Sequence, residues 1–397
     1  MDKFLNATRL LCAVLFLTLS AFNNAAYAGN IEEAQIIEQR VYNLNTVVNL
    51  KYTSKVADKI NFYINEHRAI SEVLLGRVTI YFPLFENVLR EKGMPESLKY
   101  LPIIESGLRP DITSKAGAAG LWQFMKSTAK MFDLSINRTI DERRDPLKST
   151  YAAADYLQHL FDIYQDWTLA IAAYNCGPGK VNYAIKKSGS TDYWELEKYL
   201  PKETRNYIPK FIAATYLMNY YHEHEIIPQE PNENLKNTAT AKVFSKVNFN
   251  TLSDSFELDM NVIKMLNPAF LKNYIPESED GRYTLTLPQN KLYDFLERHG
   301  SFEDLLYLSY SDKPDMSEQR LVELNSIPSL LENQNAGGNL NLERKLDIGN
   351  ITPPVKRTRL GRGDTYQSVA YEKGLNLNHI IDLNKKYNKD KTLIRIK

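Results

Sequence analysis

A carboxylate on the apolar face of a short helix is the feature of the sequence with the clearest chemistry. Leu98, Leu101 and Glu105 are spaced at i, i+3 and i+7 after Pro95, so a helix would place them on one face. Burial without a partner disfavours the charged form of a carboxylate and raises its pKa. A carboxyl group that stays protonated near neutral pH can act as a general acid.

A second interpretation of Glu105 is structural. Arg109 follows it at i+4, the spacing at which a carboxylate and a guanidinium pair on a helix surface. Gly107 lies between the two residues and predicts that the helix ends there, which weakens the ion-pair interpretation. Spacing alone leaves both the catalytic and the structural role open.

Four sequence blocks follow one another in an order that is more specific than any one of them. They are Glu105–Gly107, Gly117–Met125, Ala172–Gly179 and Glu203–Tyr207. Together they resemble the lytic murein transglycosylases that carry a soluble-lytic-transglycosylase domain, and among these the membrane-bound type D. The resemblance implies a mainly α, lysozyme-like catalytic domain.

The resemblance also implies roles for individual residues. Glu105 matches the catalytic acid and base, and five residues match positions around the substrate: Ser106, Gln123, Tyr174, Asn175 and Tyr207. In the family pattern Tyr174 and Tyr207 are directed towards the glutamate. For two aromatic residues, Tyr207 and Trp122, a structural role in the core is an alternative, because each is compatible with ordinary core packing.

A single carboxylate requires a chemical explanation, since glycosidases normally use two. The blocks after Glu105 supply no second acid in an obvious catalytic position. The implied substrate, the β-1,4 bond between N-acetylmuramic acid (MurNAc) and N-acetylglucosamine (GlcNAc) in peptidoglycan, carries an N-acetyl group that can support the positive charge. Glu105 could then protonate the leaving oxygen and afterwards deprotonate the 6-hydroxyl, giving 1,6-anhydro-MurNAc during cell-wall remodelling. A lysozyme-like hydrolase and a non-catalytic peptidoglycan-binding protein are the alternatives.

Other chemistry finds less support. The chain of 397 residues has 49 Lys and Arg against 48 Asp and Glu, which disfavours a nucleic-acid partner. His222 and His224 have the wrong spacing for a two-histidine zinc helix, so no metal or cofactor is predicted. Cys176 lacks a histidine nearby in sequence, and we interpret it as a small side chain at a helix end. The sequence identifies no protein partner.

The first 28 residues have the pattern of a secretory signal peptide. Lys3 and Arg9 precede an apolar run, and residues 26–28 form a small-x-small cleavage site. We therefore expect an exported protein of the periplasm or cell envelope, without a stable membrane span in the mature form.

The catalytic residues require a helical framework, and the segment from about Thr53 to His224 has helical periodicity. Val56, Ile60 and Ile64 form one core-facing stripe. We predict an N-terminal extension over 29–55 and the catalytic domain over 56–232.

After Pro228 the pattern changes to short strands and helices. The triplet Ile263, Leu266 and Asn267 recurs in spacing at 380, 383 and 384, which indicates two small β-helix-helix-β modules. The second module, residues 356–397, resembles a LysM module. The first, residues 238–305, resembles a degenerate LysM module, and we predict that residues 306–355 form a linker. LysM resemblance implies glycan binding at four residues: Gly363, Asp364, Thr365 and Asn384. For the first module, a spacer or packing role is an equal alternative to glycan binding.

Overall fold

The computed structural model describes residues 32–299 and three later strands, Leu305–Tyr307, Lys356–Arg359 and Leu393–Ile396. The predicted signal segment lies outside the described residues. So do the four residues that the LysM resemblance marks for glycan binding: Gly363, Asp364, Thr365 and Asn384. The chain divides into two compact units, Met1–Lys313 and Pro314–Lys397.

Ten helices form the first part of the described chain, up to Tyr220. Their bounds are α1 (32–42), α2 (Ser54–Asn61), α3 (Arg68–Glu91), α4 (Leu101–Ser106), α5 (Lys126–Met131), α6 (Pro146–Tyr164), α7 (Trp167–Cys176), α8 (Pro178–Ser188), α9 (Tyr193–Leu196) and α10 (Tyr207–Tyr220). The expectation of a mainly helical catalytic region is therefore confirmed.

One hydrophobic core unites this helical body. The predicted stripe is buried, with Val56, Ile60 and Ile64 all in that core. Val41 and Val48 belong to the same core. The described part of the segment that the sequence sets apart as an extension, 32–55, thus packs into the helical body.

Glycines at two turns position the helix that carries Glu105. Gly93 has φ +65° after the end of α3, and a 3₁₀ turn, Glu96–Tyr100, then leads directly into α4. Gly107 ends α4 in the left-handed conformation with φ +60°, which confirms the predicted helix end. The short helix is thereby set off from both neighbours by tight turns.

A second region of the first unit, which we call the module (residues 238–299), contains the remaining elements up to His299. They are β1 (Thr238–Val243), β2 (Val247–Asn248), α11 (Phe249–Phe256), α12 (Met260–Leu266), β3 (Tyr274–Ile275), β4 (Tyr283–Pro288) and α13 (Gln289–His299). Strand β1 lies between β4 and β5 (Leu305–Tyr307), antiparallel to both. The module has its own core, which includes Phe249, Ile263 and Leu285.

The second unit contributes one described pairing. Strands β6 (Lys356–Arg359) and β7 (Leu393–Ile396) are antiparallel. Within the described part of the chain, no helix has the length and apolarity needed to cross a bilayer.

Candidate active site

Glu105 lies in the last turn of α4, above a fully apolar base. Leu98 and Leu101 are completely buried, and the Glu105 residue is partly exposed. The alternative ion pair is wrong: the Arg109 Nη2 atom lies 2.9 Å from Oδ2 of Asp111. The left-handed turn at Gly107 takes Arg109 off the helix, which removes the i+4 geometry.

A tyrosine from a distant part of the chain completes the immediate environment of Glu105. Tyr207 is the first residue of α10, is 3% exposed, and donates its hydroxyl hydrogen bond to Oε1 of Glu105. The two predicted roles of Tyr207 are thus combined, because its ring packs in the core while its hydroxyl reaches the carboxyl group.

The electrostatics of the site favour a neutral Glu105 near neutral pH. Burial raises its pKa to about 7, and the nearby Glu203 carboxylate acts in the same direction. The hydrogen bond from Tyr207 and the charge of Lys210 lower the pKa but do not cancel the effect of burial. Burial and the charge of Glu105 raise the pKa of Tyr207 well above its ordinary value, so its phenol is a neutral donor.

Tyr174, on α7, lies within electrostatic reach of Glu105 but bonds to another group. Its hydroxyl donates to the backbone carbonyl of Trp122 at 2.8 Å, and burial followed by the Glu105 charge raises its pKa well above the ordinary value. Trp122 is fully buried and donates from Nε1 to Oγ1 of Thr150 at 2.9 Å. Trp122 is therefore a core residue rather than an exposed platform for a sugar.

Gln123 is held in a strained turn. Its φ is +49°, a left-handed conformation that is uncommon for a residue with a Cβ, and its Nε2 donates to the carbonyl of Gly120 at 2.8 Å. Backbone strain of this kind persists where surrounding contacts enforce it and is frequent at functional sites. The half-buried Gln123 side chain is thereby fixed in one orientation.

Two predicted residues have structural partners. The buried Ser106 hydroxyl donates to the carbonyl of Pro102 at 3.0 Å and accepts from the Arg109 N–H at 3.3 Å, so it caps the end of α4. Asn175 accepts at Oδ1 from the Thr204 hydroxyl at 2.7 Å, which ties α7 to the turn before Tyr207.

The structure brings Glu105, Tyr207 and Tyr174 together and adds two residues that the sequence analysis did not single out. Glu203 and Lys210 act electrostatically on Glu105 from either side of Tyr207. Both lie within four residues of that tyrosine, one before and one after it. That proximity is the signal that would have identified them.

The other candidate groups have ordinary environments. Burial raises the pKa of the Cys176 thiol, which disfavours the reactive thiolate. His224 shares a hydrogen bond with the Tyr216 hydroxyl at 2.9 Å, and Glu223 pairs with Arg40 at 2.8 Å. Among the described residues, no group of three or more His, Cys, Asp or Glu side chains is placed to hold a metal ion.

Comparison with protein families identifies the segment that carries this site. Residues 83–197 match the family model of the Transglycosylase SLT domain, which confirms the resemblance over that segment. The match includes Glu105, Gln123 and Tyr174 and ends before Tyr207.

Individual relatives show the same similarity. The chain is 37% identical over 166 residues to the membrane-bound lytic murein transglycosylase D of Escherichia coli K12, covering 41% of this chain and 36% of that protein. It is 28% identical over 218 residues to the soluble lytic murein transglycosylase of Salmonella typhimurium LT2, covering 48% and 34%. The matches thus span about a third of the length of these relatives.

Part of the chain also aligns with a solved structure. The 70 kDa soluble lytic transglycosylase of Escherichia coli aligns with 28% identity and a TM-score of 0.31, over 35% of this chain and 24% of that one.

Proposed function

We propose that this chain, whose residues 83–197 match the Transglycosylase SLT domain, is a peptidoglycan lytic transglycosylase of lysozyme-like fold. It would cleave the MurNAc–GlcNAc β-1,4 bond and release 1,6-anhydro-MurNAc. The observation that carries the proposal is Glu105, a partly exposed residue whose carboxyl group has a pKa of about 7 and accepts a hydrogen bond from a neutral phenol. Such a group can give up a proton and take one back at neutral pH.

In the first step Glu105 acts as an acid. Because Tyr207 donates to Oε1, we assign the acidic proton to Oε2. That proton passes to the glycosidic oxygen while the bond from this oxygen to C1 of MurNAc breaks. The carbonyl oxygen of the substrate's N-acetyl group bonds to C1 and takes up the positive charge, and Tyr207 stabilises the new carboxylate.

In the second step Glu105 acts as a base. Its carboxylate removes the proton of the 6-hydroxyl, O6 attacks C1, and the bond between C1 and the acetyl oxygen breaks. The anhydro ring closes, the N-acetyl group is restored, and Glu105 is protonated again. Water is neither consumed nor produced, so one carboxyl group suffices for both steps.

The remaining residues would support this reaction. Gln123, Tyr174 and Asn175 lie on elements around Glu105, and the LysM resemblance assigns sacculus retention to residues 356–397, which carry eleven Lys or Arg against four Asp or Glu. The proposed setting is the periplasm or cell envelope, after removal of residues 1–28.

The test is the mass of the products. Digestion of purified peptidoglycan by the full chain should yield muropeptides that are one water lighter than those from a muramidase. Glu105→Gln should bind the same sacculi while cleavage falls by about 10²- to 10⁴-fold, the usual contribution of a general acid and base. Turnover by Glu105→Gln within tenfold of the parent would refute the role of Glu105.

A hydrolase is the second candidate, and Glu203 is the observation that favours it. This exposed carboxylate lies close enough to raise the pKa of Glu105, and glycosidases that add water use two carboxyl groups. Glu203→Gln should leave a transglycosylase active and inactivate a hydrolase in which Glu203 is the base. Products that contain the added water would establish the second candidate.

A further inference from the structure

One buried arginine holds the loop that carries Gln123. This loop comprises residues 112–124, and we call it the cleft loop. Arg143 is 2% exposed, and its Nη1 atom donates to the carbonyls of Gly117 and Phe124 at 2.7 and 2.9 Å. The backbone of Arg143 also lies against the loop, because a Cβ at Gly120 would come within 1.8 Å of the Arg143 carbonyl oxygen. Arg143 thus contacts the cleft loop at three points.

The cleft loop in turn reaches the surroundings of Glu105. The Trp122 carbonyl, one residue before Gln123, accepts the hydrogen bond of the Tyr174 hydroxyl. Tyr174 interacts electrostatically with Glu105 and Tyr207. A displacement of the loop would therefore move Gln123 directly and would disturb Tyr174.

Arg143 is itself oriented by Asp141. The Nε and Nη2 atoms of Arg143 lie 2.8 and 2.7 Å from the two carboxylate oxygens of Asp141, which is 5% exposed. A two-point contact of this kind fixes the plane of the guanidinium group. The position of Asp141 therefore determines where the third nitrogen of Arg143 meets the cleft loop.

Asp141 is anchored to the module by its backbone. Its N–H donates to the carbonyl of Ala269 at 2.8 Å, and the N–H of Leu271 donates to the carbonyl of Thr139 at 2.8 Å. These bonds form an antiparallel bridge between 139–141 and 269–271, which we call the junction. A small cavity beside the junction is lined by residues of both regions, among them Lys148, Asn267 and Phe270.

The module side of the junction is rigid. Asn267 is buried and exchanges hydrogen bonds with Thr286 of β4, accepting from its N–H at 2.9 Å and donating to its carbonyl at 2.7 Å. Its Nδ2 also donates to the carbonyl of Ile263 at 2.9 Å. Residue 269 is therefore fixed to the central sheet of the module.

We infer that the module braces the cleft loop through the junction. Asp141 and Arg143 are then positioning residues for this loop and for Gln123 within it. The path runs from β4 through Asn267 to the junction, and from Asp141 through Arg143 to the loop carbonyls. This assigns the module a supporting function in cleavage. The effect on cleavage rests on the proposed function, whereas the mechanical coupling does not.

Amide hydrogen exchange of the full-length chain tests the coupling without using activity. Leu271→Pro removes the junction N–H, and because Leu271 is 41% exposed, Leu271→Ala is a matched control that keeps it. We expect Leu271→Pro to accelerate exchange about tenfold at Asp141 and at the hydrogen-bonded amides of Ala119, Gly120 and Phe124. Arg143→Lys should accelerate the loop amides and leave Leu271 protected, and Leu271→Ala should change neither set.

Two results would overturn the inference. The first is that Leu271→Pro accelerates exchange of the Asp141 amide while the loop amides exchange at the parent rate. The second is that the loop amides of Arg143→Lys exchange at the parent rate. If Leu271→Pro fails to fold, exchange of the parent at low urea replaces it, and a brace requires the loop and Leu271 amides to open together. Opening of the junction at a lower urea concentration than the loop, with the loop amides still protected, would contradict the brace.

Kinetics on a soluble glycan then connect the coupling to cleavage. A mispositioned loop should lower kcat about tenfold with KM within about threefold, and the midpoint of the pH profile should not move because Tyr207 still donates to Glu105. If the loop amides exchange faster while kcat equals that of the parent, the brace affects stability alone and its catalytic role is overturned. Product mass is unaffected by either variant, so failure of the proposed reaction is detected separately.

Discussion

Glu105 and Asp141 are two shielded carboxyl groups in one helical body, and their partners give them opposite roles. Both oxygens of Asp141 face the Arg143 guanidinium at 2.8 and 2.7 Å. Glu105 has instead a phenol donor, and its pKa rises to about 7. A guanidinium partner stabilises a buried carboxylate as an ion pair, whereas beside the neutral phenol of Tyr207 burial remains the larger effect on the pKa of Glu105. The type of partner therefore distinguishes the carboxyl group with a raised pKa from the one that forms a buried ion pair.

The surroundings of the two groups differ in the same way. The remaining Arg143 donors bond to backbone carbonyls, so the buried ion pair is fully satisfied. The Glu105 residue is partly exposed, whereas Asp141 is 5% exposed.

Breaking the ion pair should have the largest effect on stability. Arg143→Ala leaves the Asp141 carboxylate buried without its cation, and we expect the free energy of unfolding to fall by about 3–5 kcal/mol. Urea unfolding followed by the fluorescence of the buried Trp122 measures this loss. A loss below about 1 kcal/mol would show that the pair does not support the fold.

The pH dependence of stability should report the raised pKa of Glu105. Its pKa in the folded chain, about 7, is above the ordinary 4.5, so the folded state binds the proton more tightly. The contribution of Glu105 to stability is therefore largest below pH 4.5 and declines until about pH 7. At about 1.4 kcal/mol per pKa unit, the parent should lose roughly 3 kcal/mol relative to Glu105→Gln over this range.

Urea unfolding of the parent and of Glu105→Gln at pH 4.5 and pH 8 measures the difference. Glu203→Gln should give an intermediate result, because it removes an exposed carboxylate that raises the pKa of Glu105 and leaves the effect of burial in place. Parallel pH dependence in the parent and in Glu105→Gln would mean that Glu105 titrates normally.

The two tyrosines should separate in a pH–rate profile. Glu105 must be protonated to begin the reaction, so cleavage should decline as pH rises through its pKa. Tyr207→Phe removes a hydrogen bond that lowers this pKa, so the alkaline midpoint should move upward and kcat should fall about tenfold. Tyr174→Phe should leave the midpoint in place, since its hydroxyl bonds to the Trp122 carbonyl. Equal shifts in both variants would contradict the assigned hydrogen bonds.

The smallest effect is expected at Arg109. Its ion pair with Asp111 is about half exposed on both sides, and such pairs contribute little to stability. Arg109→Ala should change the free energy of unfolding by less than about 0.5 kcal/mol and leave the alkaline midpoint of cleavage unchanged. An upward shift of that midpoint would support an ion pair between Arg109 and Glu105, because the guanidinium would have lowered the pKa of Glu105.

The predictions from sequence succeeded where local spacing determines geometry. The periodicity of Leu98, Leu101 and Glu105 and the glycine at 107 describe a single helical turn and its end, which depend on neighbouring residues alone. Tyr207 is 102 residues from Glu105, and the sequence suggested their proximity only through resemblance to a family.

Two further features were visible only in the three-dimensional structure. The Ser106 hydroxyl faces the backbone of its own helix because the chain turns at Gly107, which its residue type does not reveal. Arg143 lies in a three-residue 3₁₀ turn, Glu142–Arg144, which Asp141 caps, and a turn this short has no periodicity that predicts burial.

The junction shows the physical reason most clearly. Its hydrogen bonds run between the backbones of residues 139–141 and 269–271, and every residue except proline carries the same backbone donor and acceptor. Side-chain spacing determined the acid and its helix, because those interactions are local and depend on residue type. Which backbone segments meet at the junction, and which distant side chain meets Glu105, was decided only by the tertiary structure.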